Sequence, residues 1–134
     1  PAHSAPFPAI PSVVVGISFP RGLVRARITR RLDARFREGM IEETEKLLAE
    51  RVPAEQLIKY GLEYKFITLF LGGQLSRDEM QRLLNTAIHQ FAKRQMTWFR
   101  RMEKRGVAIH WIDGRLDPGT KVNRVLQLYE TAFP

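Results

Sequence analysis

The stretch His89–Asp113, HQFAKRQMTWFRRMEKRGVAIHWID, decides the fold because it joins the longest helical pattern of the chain to a short apolar strand. Ser76, followed by Glu79 three residues later, forms a capping-box pattern that predicts where this helix begins. Gly106 predicts its end. The run Val107–Ile112 that follows is β-branched and apolar, which is typical of a strand. The sequence therefore predicts a long helix and a strand at the centre of the fold.

Outward from this centre, the chain favours further helices and one more strand. Val13–Phe19, closed by Pro20, predicts a short buried strand. A first helix is predicted from Val24, Ile28, Leu32 and Phe36, which recur at i+4 spacing. Further helices are predicted over Met40–Leu48, Tyr60–Leu71 and Pro118–Leu128, and a short one begins at Pro53. The fold class is thus helix-rich α/β with two short strands and about five helices. Two strands are too few for a complete sheet, which indicates that more chain belongs to the fold.

The amino-acid composition limits the kinds of protein that this chain can be. The chain has 134 residues, of which 44% are hydrophobic and 27% charged, as in ordinary globular domains. Residues 1–11 carry four prolines and are interpreted as a linker or cut end, and residues 12–134 as the C-terminal part of one domain. The absence of cysteine excludes disulfides and Cys-based zinc sites. No apolar run reaches the roughly 18 residues that span a bilayer, so a soluble protein is expected. A cytoplasmic location and a monomeric state are expected as well.

The positive charge is concentrated in two short stretches. The net charge is +8, and residues 21–37 hold seven arginines against Asp33, while residues 93–105 hold six cations against Glu103. These stretches contain thirteen of the 22 cations, which favours a polyanionic partner over general solubility. A basic protein with merely solvated helix faces is the alternative.

The long helix places its aromatic and cationic residues on different faces. At about 100° per residue, its apolar face centres on Phe91. The residues predicted near this face are Met80, Leu84, Ala87, Ile88, Gln95, Trp98 and Met102. The opposite stripe of Lys93, Thr97, Arg100 and Lys104 is either a solvated surface or a grip on a phosphate backbone. Gln95 is predicted to be a buried amide that needs a backbone partner or a ligand, because leaving it unpaired costs about 1–3 kcal/mol.

Two further clusters are candidate binding sites. Arg31 and Arg35 lie at the margin of the apolar face of the first helix, where a guanidinium needs either a carboxylate or a phosphate partner. Gly61–Phe66 combines a glycine with acidic, basic and aromatic residues, which suggests close approach to a ligand. His3, His89 and His110 show no metal-ligand spacing, and no motif of a nucleophile, general base or phosphate loop occurs.

Five motifs, in order, resemble the C-terminal part of tRNA dimethylallyltransferases. They are Arg27-x-x-x-Arg31, Gly39–Glu43 (GMIEE), Gly61–Lys65 (GLEYK), Ala92–Arg100 (AKRQMTWFR) and His110–Asp113 (HWID). The resemblance covers about Val13–Asp113, and its Lys-Arg-Gln element is specific to this family. It departs from the family at Gly61–Lys65, since many members have Gly-Tyr-Arg/Lys there. The fold that this resemblance implies is the helix-rich C-terminal part of a P-loop-kinase-like, nucleotide- and ATP-binding parallel-sheet fold.

The resemblance also implies an activity in tRNA processing. The family transfers a dimethylallyl group from dimethylallyl diphosphate to N6 of an adenosine adjacent to the anticodon, with Mg²⁺ assisting the diphosphate. The expected partners are a tRNA anticodon stem-loop and dimethylallyl diphosphate. Arg31, with Arg27, resembles the diphosphate-binding part. The tRNA-binding elements implied are Gly61, Leu62, Glu63, Tyr64, Lys65 and Phe66, together with Lys93, Arg94, Gln95, Met96, Thr97, Trp98, Phe99 and Arg100.

The catalytic half of the family pattern has no counterpart in this sequence. The phosphate loop, the aspartate that serves as general base, the magnesium ligands and the helical insertion are all missing. No catalytic residue or metal ligand is therefore assigned here, and the chain alone is expected to be inactive. A non-catalytic RNA-binding module or half-length relative is the alternative, because it needs only the basic helix. A basic helical domain with a purely structural role is a third hypothesis.

Overall fold

The structure, a computed structural model, describes residues 8–134 and contains six helices and two strands in that range. The elements are β1 (Val14–Ser18), α1 (Arg21–Arg37), α2 (Met40–Ala49), α3 (Ala54–Tyr60), α4 (Leu62–Leu71), α5 (Arg77–Lys104), β2 (Ile109–Asp113) and α6 (Pro118–Ala132). The predicted helix-rich α/β fold is confirmed. Most of the proline-rich segment 1–11, and His3 with it, lies outside the described residues.

The described chain forms two compact units. Residues 20–99, here called the helical unit, contain α1 to α4 and most of α5. The strand unit comprises the described residues up to Phe19 together with Arg100–Pro134, and so holds β1, β2 and α6. The prediction of one domain over residues 12–134 stays a prediction.

The helical unit is built around one hydrophobic cluster. Its buried members are Leu32, Met40, Ile41, Ile67, Met80 and Leu84. Gly39, at φ 97°, makes the sharp turn between α1 and α2 that brings Leu32 and Met40 into the same core. The cluster thus contains residues of α1, α2, α4 and the start of α5.

The start of α5 forms as its capping box predicts. The backbone N–H of Ser76 donates to Glu79 Oε2 at 2.9 Å, and the backbone N–H of Glu79 donates to Ser76 Oγ at 3.2 Å. These two bonds satisfy donors that the first turn of a helix leaves without partners. The 28 residues of α5 contain no glycine or proline, and the helix runs unbroken to Lys104.

The predicted apolar face of α5 is buried only along its first turns. Met80 and Leu84 are fully buried, and Ile88 packs partly against the core. Farther along the same face, Phe91 is 49% exposed and Trp98 65% exposed. The prediction that Trp98 belongs to the core is therefore wrong, because among the described residues no core forms over this part of the helix.

The strand unit contains a two-stranded parallel sheet. The strands β1 and β2 pair in register from Val14 opposite Ile109 to Ser18 opposite Asp113. Gly16 is opposite Trp111, whose ring would lie 2.6 Å from a Cβ at this position, so only glycine fits there. The prediction that β1 is a buried strand is wrong. None of its residues is fully buried, and Ile17 is 46% exposed, because no third strand pairs with it among the described residues.

Candidate nucleic-acid and diphosphate interface

The second half of α5 carries both cations and aromatic rings, and both kinds of side chain are exposed. Every residue from Lys93 to Arg100 is exposed. The side chains differ in what they offer: Lys93, Arg94 and Arg100 carry positive charge, and Trp98 and Phe99 offer ring faces. Cations of this kind bind phosphates, while rings stack on unpaired bases. The local geometry therefore suits a single-stranded RNA segment.

Gln95 differs from its prediction. It was expected to be a buried amide on the core face, but it is exposed. The expectation is wrong for the same reason as for Trp98, because no core of described residues forms beside this part of α5. Water satisfies an exposed amide, so Gln95 needs no buried partner and is accessible to a ligand.

The element Gly61–Phe66 is divided between core and surface. Leu62 and Phe66 pack against the hydrophobic cluster of the helical unit, whereas Glu63 and Lys65 are exposed. The Lys65 ammonium lies 5.4 Å from the centre of the Phe66 ring, within the range of a cation–π contact. The exposed members of this element are therefore the ones placed for contact with a ligand.

Tyr64 is tied to the motif at the start of α2. Its hydroxyl donates to Glu43 Oε1 at 3.0 Å, and this hydrogen bond to a carboxylate raises the pKa of Tyr64 above its usual value. Two motifs that are 21 residues apart in sequence are thus joined by one side-chain hydrogen bond. Its ring also lines a concave surface that includes Tyr60 and Arg51.

On α1, Arg27 and Arg31 are exposed one turn apart. Arg35, which was predicted to need an anionic partner, lies 4.0 Å from Glu38 in a largely exposed ion pair. Among the described residues, no carboxylate lies within 4.0 Å of the Arg31 guanidinium. Of the two kinds of partner that were predicted for these arginines, Arg35 has a carboxylate, and Arg31 is accessible to a phosphate.

Sequence reasoning missed a polar groove between α1 and α5. The groove has a volume of about 880 Å³ and is lined by Arg25, Ala26, Thr29, Arg30, Asp33, Arg37, Asn85, Thr86, His89 and Gln90. The Thr29 hydroxyl donates to Asn85 Oδ1 at 3.3 Å across it. Its three arginines belong to the basic stretch 21–37, but nothing in the sequence indicates that α5 lies beside them.

Two other properties of the described residues bear on the kind of site. No group of three or more His, Asp or Glu side chains in residues 8–134 is placed to hold a metal ion. In the same part of the chain, no helix is both long and apolar enough to cross a membrane.

Comparison with curated proteins finds tRNA dimethylallyltransferases among the relatives of this chain. Over 129 residues, the chain is 55% identical to tRNA dimethylallyltransferase 1 of Porphyromonas gingivalis, which covers 96% of this chain and 43% of the relative. Over 127 residues, it is 51% identical to tRNA dimethylallyltransferase 2 of Bacteroides fragilis, covering 95% of this chain and 42% of the relative. The chain therefore spans about two fifths of the length of these relatives.

Solved structures give the same result for the fold. The full-length tRNA isopentenylpyrophosphate transferase of Bacillus halodurans matches with a TM-score of 0.75 and 28% identity, over 90% of this chain and 38% of that chain. The tRNA isopentenylpyrophosphate transferase of Staphylococcus epidermidis matches with a TM-score of 0.71 and 23% identity, over 89% of this chain and 38% of that chain. The expected fold class, part of a P-loop-kinase-like parallel-sheet fold, is thereby confirmed.

The family assignment follows from a third comparison. Residues 2–102 match the model of the family described as IPP transferase. This range contains four of the five motifs that carry the resemblance, and the relatives described above are tRNA dimethylallyltransferases or isopentenylpyrophosphate transferases. The chain belongs to the IPP transferase family of tRNA-modifying enzymes.

Proposed function

We propose that this chain supplies tRNA-binding and diphosphate-binding elements of a tRNA dimethylallyltransferase and is inactive by itself. The reaction joins N6 of an adenosine adjacent to the anticodon to C1 of the dimethylallyl group. It breaks the bond from C1 to the diphosphate oxygen, and the N6 proton passes to a base. The observation that carries the proposal is the exposed surface Lys93–Arg100, in a chain of this family.

The tRNA is assigned to the exposed second half of α5 and to the exposed members of Gly61–Phe66. Lys93, Arg94 and Arg100 contact phosphates, and Trp98 stacks on a base of the anticodon loop. Such contacts divide the work in the usual way, since phosphate contacts position the RNA and ring and amide contacts read its bases. The exposed amide of Gln95 is placed to hydrogen-bond a base edge.

Arg31, assisted by Arg27, is assigned to the diphosphate. Negative charge accumulates on the diphosphate oxygens as the bond to C1 breaks, and a guanidinium that donates two parallel hydrogen bonds stabilises that charge. A compact diphosphate requires only one or two arginines, and Arg31 and Arg27 are both exposed one turn apart on α1.

Magnesium does not fit the described residues by themselves, since they contain no cluster of metal-ligating side chains. Nucleotide or ATP binding, a monomeric state and a cytoplasmic location remain predictions.

The first test of the proposal is activity. The chain 1–134 is incubated with dimethylallyl diphosphate, magnesium and substrate tRNA, and the nucleosides are analysed by mass spectrometry. We expect no modified adenosine, because catalysis requires a base and diphosphate stabilisers positioned together. Turnover by this chain at the rate of the B. halodurans or S. epidermidis enzymes would contradict the proposal.

The second test separates the two binding sites in the protein as its gene encodes it. Arg31→Ala should weaken binding of dimethylallyl diphosphate by about 1.5–3 kcal/mol, the contribution of a charge-assisted hydrogen bond, with tRNA affinity nearly unchanged. Replacing Lys93, Arg94 and Arg100 by glutamine should instead weaken tRNA binding and flatten its salt dependence by roughly one unit per lost phosphate contact. The reverse pattern would refute the residue assignments.

A non-catalytic RNA-binding module is the second candidate, favoured by the exposure of Lys93–Arg100, which all belong to one helix. The genomic reading frame upstream of Pro1 distinguishes the two. An in-frame GxxxxGK[ST] motif supports the enzyme, and a start codon directly upstream supports the module.

A further inference from the structure

We infer that the groove between α1 and α5 is a second RNA-binding surface, which holds the phosphate backbone of the stem of the substrate's anticodon arm. This inference rests on the proposed function and adds a site separate from the two surfaces described above. All of the lining residues lie in the helical unit.

The groove and Arg31 occupy different sides of α1. At about 100° per residue, Thr29 and Asp33 lie roughly 160–200° from Arg31 around the helix. Ala26, Thr29 and Asp33, which line the groove, therefore lie on the side of α1 opposite Arg31. A diphosphate held by Arg31 does not occupy this groove, which is open to a different ligand.

The charge of the groove suits an extended anion. Around α1, at about 100° per residue, Arg25 lies on one side of Ala26, Thr29 and Asp33, and Arg30 and Arg37 lie on the other. Arg25 and Arg37 are twelve residues apart, which is about 18 Å along a helix that rises 1.5 Å per residue. With Asp33 included, the lining carries three positive charges and one negative charge when His89 is neutral. A row of cations of this length matches several successive phosphates better than one small anion.

The other lining residues favour the backbone of a duplex over unpaired bases. The wall formed by α5 offers amides, a hydroxyl and an imidazole, from Asn85, Thr86, Gln90 and His89. His89 Nδ1 lies 2.7 Å from the Asn85 carbonyl oxygen, which can only accept, so Nδ1 donates and Nε2 of the neutral ring is an acceptor that suits a ribose 2′-hydroxyl of the backbone. No Trp, Tyr or Phe lines this groove, in contrast to Lys93–Arg100. Without rings to stack on, unpaired bases gain little here, whereas stem phosphates gain both charge and hydrogen bonds.

The test compares two pairs of substitutions of equal charge in the protein as its gene encodes it. The groove variant is Arg30→Gln with Arg37→Gln. The control variant is Arg77→Gln with Arg82→Gln, since both arginines are exposed in the helical unit but do not line the groove. The probes are a fluorescent anticodon stem-loop RNA and a linear RNA with the loop sequence and no stem. Affinities are measured by anisotropy over a range of salt concentrations, with melting curves to confirm folding.

The groove variant should bind the stem-loop at least about fivefold more weakly near 100 mM salt, with a salt slope lower by roughly 1.4–1.8 units for two lost contacts. The linear RNA and dimethylallyl diphosphate should bind unchanged. Asp33→Asn should act in the opposite direction and tighten stem-loop binding by roughly two- to fivefold, because it removes a negative charge from the groove.

Three outcomes would overturn the inference while leaving the proposed function in place. These are equal losses in groove and control variants, equal losses on both RNAs, or a loss confined to dimethylallyl diphosphate. Failure of the unsubstituted protein to bind either RNA would overturn the proposed function together with the groove.

Discussion

The two halves of α5 have similar amphipathic patterns but different surroundings. In residues 77–88, here called the packed half, Met80 and Leu84 are fully buried. In residues 89–99, the exposed half, Phe91 and Trp98 continue the same apolar face but remain largely in solvent. An apolar stripe shows which residues a helix can bury, but it does not show that a packing partner is present.

The two halves of α5 also differ in net charge. The packed half carries two arginines, one aspartate and one glutamate, so its formal charges cancel. The exposed half carries Lys93 and Arg94 with no acidic residue. Exposed rings beside unbalanced cations are costly in a surface that only faces water, and they favour an anionic partner with flat groups. This combination is the physical basis for assigning RNA to the exposed half.

The largest expected effect is on stability, and it should separate the two halves. Leu84→Ala in the packed half should lower the free energy of unfolding by about 2–5 kcal/mol, because it leaves a cavity in the core. Trp98→Ala in the exposed half should change it by less than about 1 kcal/mol. Urea denaturation followed by circular dichroism measures both values. Similar losses in the two variants would show that the exposed half packs as tightly as the packed half.

The second effect is on RNA affinity, and it should come from the exposed half of α5. Trp98→Ala should weaken binding of the anticodon loop by about 1–3 kcal/mol, the usual contribution of stacking one base on an aromatic ring. The salt slope should stay the same, because no charge is lost. Tyr129→Ala, which removes an exposed ring from α6, is the matched control. A loss that is equal for both rings would remove the basis for placing a base on Trp98.

These comparisons also show what sequence could predict. Ser76 and Glu79 predicted the start of α5, and Gly106 predicted its end, because caps and turns depend on neighbouring residues only. The run Lys93–Arg100 was recognised because its members are consecutive on one helix. Burial of Trp98 and Gln95 was predicted wrongly, since it depends on elements distant in sequence. The groove was missed for a related reason: Thr29 and Asn85, which meet across it, are 56 residues apart.

A smaller effect is expected where the packed half begins. Ser76→Ala removes the hydroxyl that accepts the Glu79 N–H, and loss of such a cap costs about 0.5–2 kcal/mol of unfolding free energy. RNA affinity should be unaffected, since the cap stabilises only the packed half. Thr97→Ala is the control in the exposed half, where the hydroxyl donates only to the Lys93 carbonyl within the same helix. Equal destabilisation by both substitutions would argue against a capping role for Ser76.

The smallest effect lies outside both halves, at the end of β2, and is a dependence of stability on pH. Arg115 donates to both carboxylate oxygens of Asp113, at 2.8 Å to Oδ2 from its Nη2 and 3.0 Å to Oδ1 from its Nε. These hydrogen bonds from the Arg115 side chain lower the pKa of Asp113 from 3.8 to about 2. A carboxyl group with a lowered folded-state pKa stabilises the fold above its unfolded pKa, and this contribution is lost as the pH falls from about 4 to about 2. Because the pair is exposed, the effect should be small.

The test measures melting temperatures from pH 5 to pH 2, where the loss of stability at low pH is called the acid limb. Asp113→Asn should make this limb less steep, and Arg115→Gln should do the same, because either change breaks the same pair. An acid limb that keeps its slope in both variants would show that the pair contributes nothing to stability, and Trp98→Ala should leave the limb unchanged if the exposed half is independent of this strand.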